Sequence, residues 1–599
     1  MEKFLFLTAI FLPLFGFFFL KLTPPFIAKK YLGWIATSII ALSFFGLCIA
    51  YLVSPVGAIF VLSPWIDSLG FKAQFSFQLG ALSRAMGMIV FGVGSLVHLY
   101  SIGYMHEDEQ QGNFFAYLNL FVFFMAVLVF SSNLIGLFVG WEGVGLSSYL
   151  LIGFWWKEPQ NVRAAEKAFL INRIGDMGLI LGILMVAFLA RSTEYATILH
   201  QLPLFASHPL LPMAALLLFV GCIGKSAQWP LLTWLPDAMV GPTPVSALMH
   251  AATMVTAGIY LLVQLAPIFE SSVMVMHTIL VIGCVTAFFG ACMAFAQEDI
   301  KKILAYSTIS QLGIMVVAIG LHAFKGAFFH LTTHAFFKAL LFLAAGSVIH
   351  ATGERQLITE MGGLWRRIPI TTGCFLVGLL ALVGCPPFSG FFSKDTILTT
   401  AFYQAPFVFF VLIAVTILTN LYMIRVFYRV FLGKTQDNTS VHESGFLMLI
   451  PMIILALLSL FGGIAMPYSL HMDGLFWALF LFSLGVLGIF GCLLYRRYTT
   501  QYDPAIGSRY FKKIHHFFHE GAYLDRGYRV CGVGAIYLVI DKVLVRVDGV
   551  LACWVLMPGK ILSWISRCWH QQVSGNMRVY IAAIVIALLV MIFSLRGVL

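Results

Sequence analysis

Long apolar runs recur along this chain, and short segments between them carry most of the polar side chains. A helix of about 20 apolar residues matches the ~30 Å hydrocarbon core of a bilayer. We therefore predict an all-α polytopic membrane protein with about sixteen transmembrane helices. They are expected near residues 3–22, 33–53, 81–104, 114–130, 134–155, 164–190, 212–235, 243–266, 273–296, 301–320, 323–349, 370–395, 402–431, 446–466, 474–495 and 577–596.

Prolines interrupt two of these helices. The seventh contains Pro230 and Pro236, and the twelfth contains Pro386 and Pro387 and passes Gly390. A proline within a helix removes a backbone hydrogen bond, and a bilayer tolerates this loss only inside protein or beside water. Because the two breaks lie five helices apart, we predict two inverted five-helix repeats with broken helices beside the transport site.

The C-terminal segment 523–572 differs from the spans before it. It is apolar, but Asp541, Lys542, Arg546 and Asp548 interrupt it. Four central charges disfavour a membrane-spanning helix, so we predict a lateral amphipathic helix along the membrane or along neighbouring subunits. The predicted organisation is helices one to three in 1–113, the first repeat in 114–266, the second repeat in 273–432, two further helices in 433–500, the lateral region in 501–572 and a final span in 573–599.

Composition agrees with a membrane protein and removes several other classes. The chain is 60% hydrophobic and only 10% charged. Its ten cysteines form no C-x-x-C pair, which argues against iron–sulfur and structural zinc sites. A dinucleotide fingerprint of the form G-x-G-x-x-G is also missing from the sequence. We therefore expect neither a cofactor nor a metal in this chain.

The net charge of +11 is spread over short loops rather than gathered in one patch. This dispersion favours a membrane protein with basic cytoplasmic loops over a nucleic-acid-binding protein. Loops after the odd-numbered helices carry most of the lysines and arginines, so we place them in the cytoplasm. Both termini are then expected on the outer, periplasmic side of a bacterial inner membrane.

Three titratable residues share one face of the eleventh predicted helix, 327-AFFHLTTHAFFKALLFLAAG-346. His330, His334 and Lys338 are spaced by four, so each is rotated by only ~40° from the one before it. Ionisable groups inside a bilayer are expensive and usually functional. Histidine exchanges protons near neutral pH, so the face is interpreted as part of a proton path.

Other ionisable residues fall within predicted spans. Glu142 lies among glycines in the fifth helix, and Lys225 adjoins the first break. His250 lies in the eighth helix, where a hydrogen bond to a neighbouring helix is an equally good explanation. Lys394 and Asp395 end the second broken helix, where a lysine also reaches the interface in many proteins.

Arg173 and Asp176 stand three residues apart on the sixth predicted helix. This spacing permits a local ion pair. Asp176 is alternatively placed to tune a buried lysine, because a nearby carboxylate favours the charged ammonium. A shift of Glu142 toward or away from Lys225 would change that lysine's protonation in the same way.

At these motifs the chain closely resembles the subunit L family of proton-translocating NADH:quinone oxidoreductase, respiratory complex I. The runs that carry the resemblance cover most of residues 90–400. They are 103-GYMHED-108, 139-VGWEGVGLSSYLLIGF-154, 224-GKSAQWPLLTWLPDAMVGPTPVSALMHAATMVTAG-258, 299-DIKKILAYSTISQLG-313, 329-FHLTTHAFFKALLFLAAGSVIH-350 and 390-GFFSKD-395.

The resemblance implies a proton-pumping membrane-arm subunit without its own redox centre. NADH, FMN, iron–sulfur clusters and quinone would be used in other subunits, and the lateral helix 523–572 would contact neighbouring membrane-arm subunits. The family's proton-path residues match Glu142, Asp176, Lys225, His250, His330, His334, Lys338, Lys394 and Asp395. The family picture assigns Glu142 and Lys225 to a first half-channel, Lys338 to a central relay and Lys394 to the exit side.

Related complexes contain the same antiporter-like block. The alternatives are the large subunit of a multi-subunit cation/proton antiporter, of a membrane-bound hydrogenase, or of an inorganic-carbon uptake complex. A purely structural membrane anchor is a further alternative, and it predicts unchanged pumping when the intramembrane charges are neutralised.

Overall fold

The computed structural model describes residues 2–22, 29–68, 71–433, 441–463, 474–499, 509–533, 545–572 and 577–595. Two compact units divide the chain, residues 1–522 and 523–599. Among the described residues, eleven helices are long and apolar enough to cross a membrane. Four shorter apolar helices accompany them: Leu211–Lys225, Pro369–Val383, Phe446–Phe461 and Trp477–Ile489. A mostly helical, polytopic membrane fold is therefore confirmed.

The first unit is built from helices that follow one another with short connections. Its first half contains α1 (Glu2–Lys21), α2 (Lys29–Val53), α3 (Ala81–Tyr104), α4 (Gln111–Phe130), α5 (Leu134–Ile152), α6 (Pro159–Ala190), α7 (Tyr195–Phe205), α8 (Leu211–Lys225), α9 (Trp234–Asp237), α10 (Thr243–Ala247), α11 (Ala257–Gln264) and α12 (Ala266–Glu270). Its second half contains α13 (Val273–Ala296), α14 (Ile300–Gly320), α15 (Phe324–Ala351), α16 (Pro369–Val383), α17 (Ser389–Gln404), α18 (Pro406–Phe427), α19 (Phe446–Phe461), α20 (Gly474–Thr499) and α21 (Arg509–His519).

A β-hairpin between α2 and α3 was not part of the all-α prediction. Strands β1 (Ala58–Ser68) and β2 (Phe71–Leu79) pair antiparallel, with two irregularities in register. Apolar residues alternate along β2, which is the period of a half-buried strand. Ala73, Phe77 and Leu79 are buried on one face of it. A search for runs of ~20 apolar residues does not detect so short an amphipathic element.

Both helix breaks lie where the sequence predicts them, but each helix ends before its proline. The helix α8 ends at Lys225, and Ala227 follows with a φ of 47°. The helix α16 ends at Val383, and Gly384 follows with a φ of 84°. The carbonyls of Ser226 and Leu382 therefore have no helical donor four residues further on. At the first break the side chain of Gln228 donates to the Ser226 carbonyl at 2.8 Å. A polar side chain thus replaces the missing backbone donor.

The predicted eighth helix, residues 243–266, is less regular than the sequence suggests. After α10, residues Leu248–Ala252 form a π-helical turn and Met254–Thr256 a 3₁₀ turn, before α11 begins. The hydroxyl of Thr253 donates to the Leu248 carbonyl at 2.6 Å and fixes this distortion. His250 therefore lies in a π-turn, a feature often found at functional sites.

Glycines set the closest helix pairs. On α6, Gly175, Gly178 and Gly182 face α8, and a Cβ on Gly175 would lie 3.0 Å from the Cα of Gly224. Small residues let the helix backbones approach in a membrane, where no hydrophobic effect drives them together. Asp176 follows Gly175 in the chain. The close approach of α6 and α8 therefore places Asp176 beside Lys225 at the end of α8.

The N-terminus of α16 is capped by a residue from a distant segment. Glu443 accepts from the Ile370 N–H at 2.9 Å and from the Thr371 hydroxyl at 2.5 Å. A carboxylate satisfies donors that a helix start leaves unpaired and complements its dipole. The segment preceding α19 is thereby tied to the helix that leads into the second break.

The second unit is helical in its described part. It contains α22 (Leu524–Gly527), a π-helical turn over Tyr528–Val533, α23 (Val545–Gln572) and α24 (Met577–Leu595). The helix α24 coincides with the last predicted span. Asp541 and Lys542 lie outside the described residues, and the lateral placement of 523–572 stays a prediction.

Candidate functional site

A buried ion pair joins the end of α8 to α6. Lys225 Nζ lies 3.6 Å from Asp176 Oδ2, and their side chains are 1% and 4% exposed. Trp141 on α5 donates its Nε1–H to the other Asp176 oxygen at 2.6 Å. A Cβ on Gly145 would lie 2.8 Å from Nζ, so this glycine provides the space that the ammonium occupies.

Glu142 pairs with Arg173 rather than with Lys225. The guanidinium lies 2.6 Å from Glu142 Oε2 and stacks over the ring of Phe169. The ion pair between Arg173 and Asp176 suggested by their spacing is therefore replaced by two crossed pairs, in which α6 supplies one partner of each. Both pairs lie side by side along α6, the first half-exposed and the second buried.

His250 lies between the first ion pairs and the second half of the bundle. Its ring packs against Trp234, whose Nε1–H donates to the Gly224 carbonyl, next to Lys225. Neither ring nitrogen of His250 has a hydrogen-bond partner among the described residues. The neighbouring carbonyl of Ala251 accepts from His334 Nδ1 at 3.1 Å. The π-turn thus connects the Lys225 region to α15.

The three residues of the predicted face on α15 are buried together. His330, His334 and Lys338 are all 0% exposed. Lys338 Nζ donates to the Leu304 carbonyl at 3.1 Å and to the Ser307 hydroxyl, both on α14. The rings of His330 and His334 lie 6.4 Å apart, centroid to centroid.

The ammonium of Lys394 binds the Leu382 carbonyl, which has no backbone donor at the second break. Its Nζ donates to the Leu382 carbonyl at 2.5 Å, and the residue is 4% exposed. This carbonyl has no helical donor because α16 ends at Val383 and the chain turns at Gly384. Asp395 follows on α17 and is half-buried. The interfacial explanation for Lys394 is therefore wrong in this structure, because its ammonium is held inside the bundle.

Several polar residues of the path carried too weak a signal to be chosen from the sequence. Gln311 and Ser393 bind His330 at 3.2 and 2.9 Å, and Gln228 spans the first break. Lys301, buried at the start of α14, donates to the Gly241 carbonyl at 2.9 Å. Neutral side chains and a lysine near a helix end look ordinary in a sequence. Their importance appears only when the partner helix is known.

A second polar network lies at the N-terminal end of α5, outside the spans. Glu194 accepts from Ser132 at 3.1 Å and from Asn133 at 3.2 Å, and Asn133 also caps α5. Burial raises the pKa of the Glu194 carboxyl above its ordinary value, while these hydrogen bonds act in the opposite direction. The network ties the hairpin, through the carbonyl of Gln74, to the start of α5.

No cluster of three or more His, Cys, Asp and Glu side chains is placed to hold a metal ion within the described part of the chain. The buried groups instead form a row of carboxylates, lysines and histidines that runs through two broken helices. Such a row defines an ion-translocating membrane protein of the antiporter-like class.

Comparison with known proteins agrees with this class. Residues 131–419 match the family described as NADH:quinone oxidoreductase/Mrp antiporter, transmembrane region. Residues 65–115 match the family described as NADH-ubiquinone oxidoreductase (complex I), chain 5 N-terminus. The chain is 46% identical over 463 residues to NADH-quinone oxidoreductase subunit L of Rickettsia bellii, covering 75% of this chain and 72% of that one.

A second relative is NADH-ubiquinone oxidoreductase chain 5 of Marchantia polymorpha, 41% identical over 503 residues, with 80% of this chain and 75% of that one covered. The chain therefore belongs to the NADH-quinone oxidoreductase subunit L and chain 5 family. The alignment spans 64% of the length of the Rickettsia conorii subunit L, at 48% identity over 69% of this chain.

Two solved structures share the fold. The Mrp complex from Dietzia sp. superposes with a TM-score of 0.73 at 24% identity, covering 100% of this chain and 63% of that one. The membrane-bound sulfane sulfur reductase, an archaeal respiratory membrane complex, gives a TM-score of 0.71 at 21% identity, with 98% and 99% covered. At these identities the likeness describes the fold alone.

Proposed function

We propose that this chain carries protons through its row of buried ionisable groups. As a member of the subunit L family it is a proton-pumping membrane-arm subunit of NADH:quinone oxidoreductase. Electron transfer from NADH to quinone takes place in other subunits, which hold the FMN and the iron–sulfur clusters. The observation that carries the proposal is the burial of Lys225, His250, His334, Lys338 and Lys394 within one bundle.

The first half of the path works by exchange of ion-pair partners. Lys225 is charged while Asp176 stays close, because an opposite charge favours the ammonium. If Glu142 is released from Arg173, its carboxylate competes for Lys225 and alters the stability of the ammonium. Moving one charge against 100 mV requires about 2.3 kcal/mol. Rearrangement of a close ion pair in a low-dielectric site supplies energy of this size.

The second half of the path continues from His250 along α15. The carbonyl of Ala251 holds His334, which stands one turn from Lys338 and one turn from His330. We assign the central relay to Lys338 and the exit side to Lys394, with Asp395 after it. These groups lie on α15 and α17 and contact α14, so the proposed path passes from helix to helix across the bundle.

The arrangement of the chain in the complex is also proposed. We place the basic loops in the cytoplasm and both termini on the outer side of the inner membrane. The blocks 114–266 and 273–432 are proposed to be inverted repeats, because each contains one broken helix. The segment 523–572 is proposed as a lateral helix that contacts other membrane-arm subunits, and lipid surrounds the remaining surface.

The test is proton pumping by the assembled complex in inverted membrane vesicles. Lys338→Met should abolish the share of pumping that passes through this chain, measured as protons moved per NADH oxidised. Lys325→Met is the matched control, since Lys325 lies on the same helix but is exposed. A structural anchor predicts wild-type pumping for Lys338→Met in a complex that still assembles.

A cation/proton antiporter is the second candidate, because the family matched by residues 131–419 is described as including the Mrp antiporter. It predicts sodium-dependent exchange that persists without NADH. The relatives that share 41% and 46% identity are named as NADH oxidoreductase subunits, which favours the first candidate. Vesicles without added sodium decide between them, because NADH-driven pumping then continues only under the first.

A further inference from the structure

The hydrogen bonds of His330 determine which ring nitrogen carries its proton. Nε2 lies 3.2 Å from Oε1 of Gln311 on α14, and Nδ1 lies 2.9 Å from the Ser393 hydroxyl on α17. With the amide oxygen of Gln311 facing the ring, Nε2 carries the hydrogen, because a carbonyl oxygen only accepts hydrogen bonds. Neutral His330 therefore keeps its proton on Nε2 and presents the lone pair of Nδ1 to Ser393.

The side of the ring that faces α17 is suited to proton exchange. The Ser393 hydroxyl donates to Nδ1, and the Thr333 hydroxyl lies 2.9 Å from Ser393 Oγ. A hydroxyl both donates and accepts, so it conducts a proton between an imidazole and a further acceptor. Ser393 immediately precedes Lys394, which we assign to the exit side.

The neighbouring histidine has the opposite arrangement. His334 Nδ1 lies 3.1 Å from the Ala251 carbonyl, so this nitrogen carries the hydrogen and Nε2 holds the lone pair. Nε2 of His334 has no partner among the described residues. Although His330 and His334 share one helix face, their lone pairs are on different ring nitrogens. A single wire running ring to ring along α15 does not follow from this geometry.

We propose that Gln311 and Ser393 are positioning residues that make His330 exchange its proton through Nδ1, on the α17 side of the path. The proposal rests on the proposed function and deepens it. Uptake at Nδ1 gives an imidazolium that donates to Ser393 and to Gln311. Return of that proton restores the starting tautomer. Release from Nε2 instead would turn a lone pair toward the Gln311 carbonyl, which is repulsive.

Few charged groups face His330. On its own helix the nearest titratable neighbours are His334 and Lys338, and α17 contributes Lys394. From α14 the facing group is the neutral amide of Gln311. A carboxylate introduced at position 311 would therefore be the only negative charge beside this ring among the described residues, and it would favour the imidazolium.

The experiment measures NADH:quinone turnover and protons moved per NADH in vesicles that hold the assembled complex, from about pH 6 to about pH 9. Gln311→Met and Ser393→Ala should each slow proton transfer relative to turnover by roughly two- to tenfold, the effect of one lost hydrogen bond. Gln311→Glu keeps the acceptor, so pumping should persist and its pH profile should move toward alkaline pH. Ser310→Ala, whose hydroxyl bonds the Ala287 carbonyl on α13, is the matched control and should behave as wild type.

Three results would overturn the proposal. The first is unchanged proton transfer in Gln311→Met and Ser393→Ala, and the second is a wild-type pH profile for Gln311→Glu. The third is an equal loss in Ser310→Ala, which would indicate a general packing effect. Lys338→Met separates this proposal from the proposed function. If Lys338→Met loses pumping while the Gln311 and Ser393 variants do not, the function stands and the positioning role fails. If Lys338→Met pumps normally, the proposed function itself fails.

Discussion

Neutralising Asp176 should stop proton transfer at Lys225 while leaving the bundle folded. The two groups are 3.6 Å apart and almost fully buried. At an effective dielectric constant of about 20, this separation corresponds to about 4 to 5 kcal/mol of attraction. Asp176→Asn removes that attraction but keeps the size of the side chain and an oxygen for the Trp141 N–H. Lys225 then loses its counter-charge, and an attraction of this size corresponds to roughly a thousandfold in an equilibrium constant.

The assay is the number of protons moved per NADH by the assembled complex in inverted membrane vesicles, followed across pH. Pumping by Asp176→Asn should fall well below the wild-type level. Asp237→Asn is the matched control. The carboxylate of Asp237 lies 2.6 Å from Lys167, which is on α6 like Asp176. This pair is partly exposed and should contribute at most about 1 kcal/mol. Wild-type pumping by Asp176→Asn at every pH would refute the ion-pair reasoning.

Three further predictions concern positions outside the row of ionisable groups. Gly145→Ala should displace the Lys225 ammonium, because the new Cβ would lie 2.8 Å from Nζ, and it should lower protons moved per NADH. Burial raises the pKa of the Glu194 carboxyl, so its charged form destabilises the fold as pH rises above the ordinary carboxyl range. Glu194→Gln removes this charge. It should protect this loop from limited proteolysis at neutral pH and give no gain at acidic pH. Glu443→Ala should lower stability by about 1 kcal/mol through loss of the cap on α16, including the bond from Thr371, as measured by thermal unfolding.

Each of these predictions has a control in the chain. Gly373→Ala, where a new Cβ meets nothing within 4 Å, should leave pumping unchanged. An equal gain from Glu194→Gln at acidic and neutral pH would contradict the assignment of the effect to ionisation. Glu443→Gln keeps an acceptor oxygen and should retain most of the capping energy. If it destabilises as much as Glu443→Ala, charge and not hydrogen bonding maintains the cap.

The fold was predictable where one local rule decides it. Apolar runs of spanning length gave helices such as α15, and the prolines marked both breaks because a missing N–H is a property of the residue itself. The hairpin was missed because its strands are short and bury one face only. The π-turn at His250 was missed because the Thr253 hydroxyl sets it, and threonine in a membrane helix usually bonds its own preceding turn.

The site was predictable as a set of residues and less so as a set of partners. Spacing of four placed His330, His334 and Lys338 on one face, and the structure has them buried together. The pairing of Glu142 with Arg173 did not follow from spacing, because it depends on how the glycine seam of α6 sets the rotation of that helix. Gln311 was missed because its role depends on its contact with the His330 ring, and the sequence does not show which side chains face each other across two helices.

The bond between Lys394 and the Leu382 carbonyl has a consequence for mutational scanning. That carbonyl is available because α16 ends at Val383 and Gly384 turns the chain with a φ of 84°. A Gly384→Ala change strains this left-handed turn, crowds the Lys394 side chain and displaces the acceptor from a lysine that is itself unchanged. The phenotype of Lys394 substitutions should therefore depend on the residue at position 384, and the double variant should be no worse than the more severe single one. A survey limited to ionisable positions would record half of this two-residue unit and attribute all of its effect to the lysine.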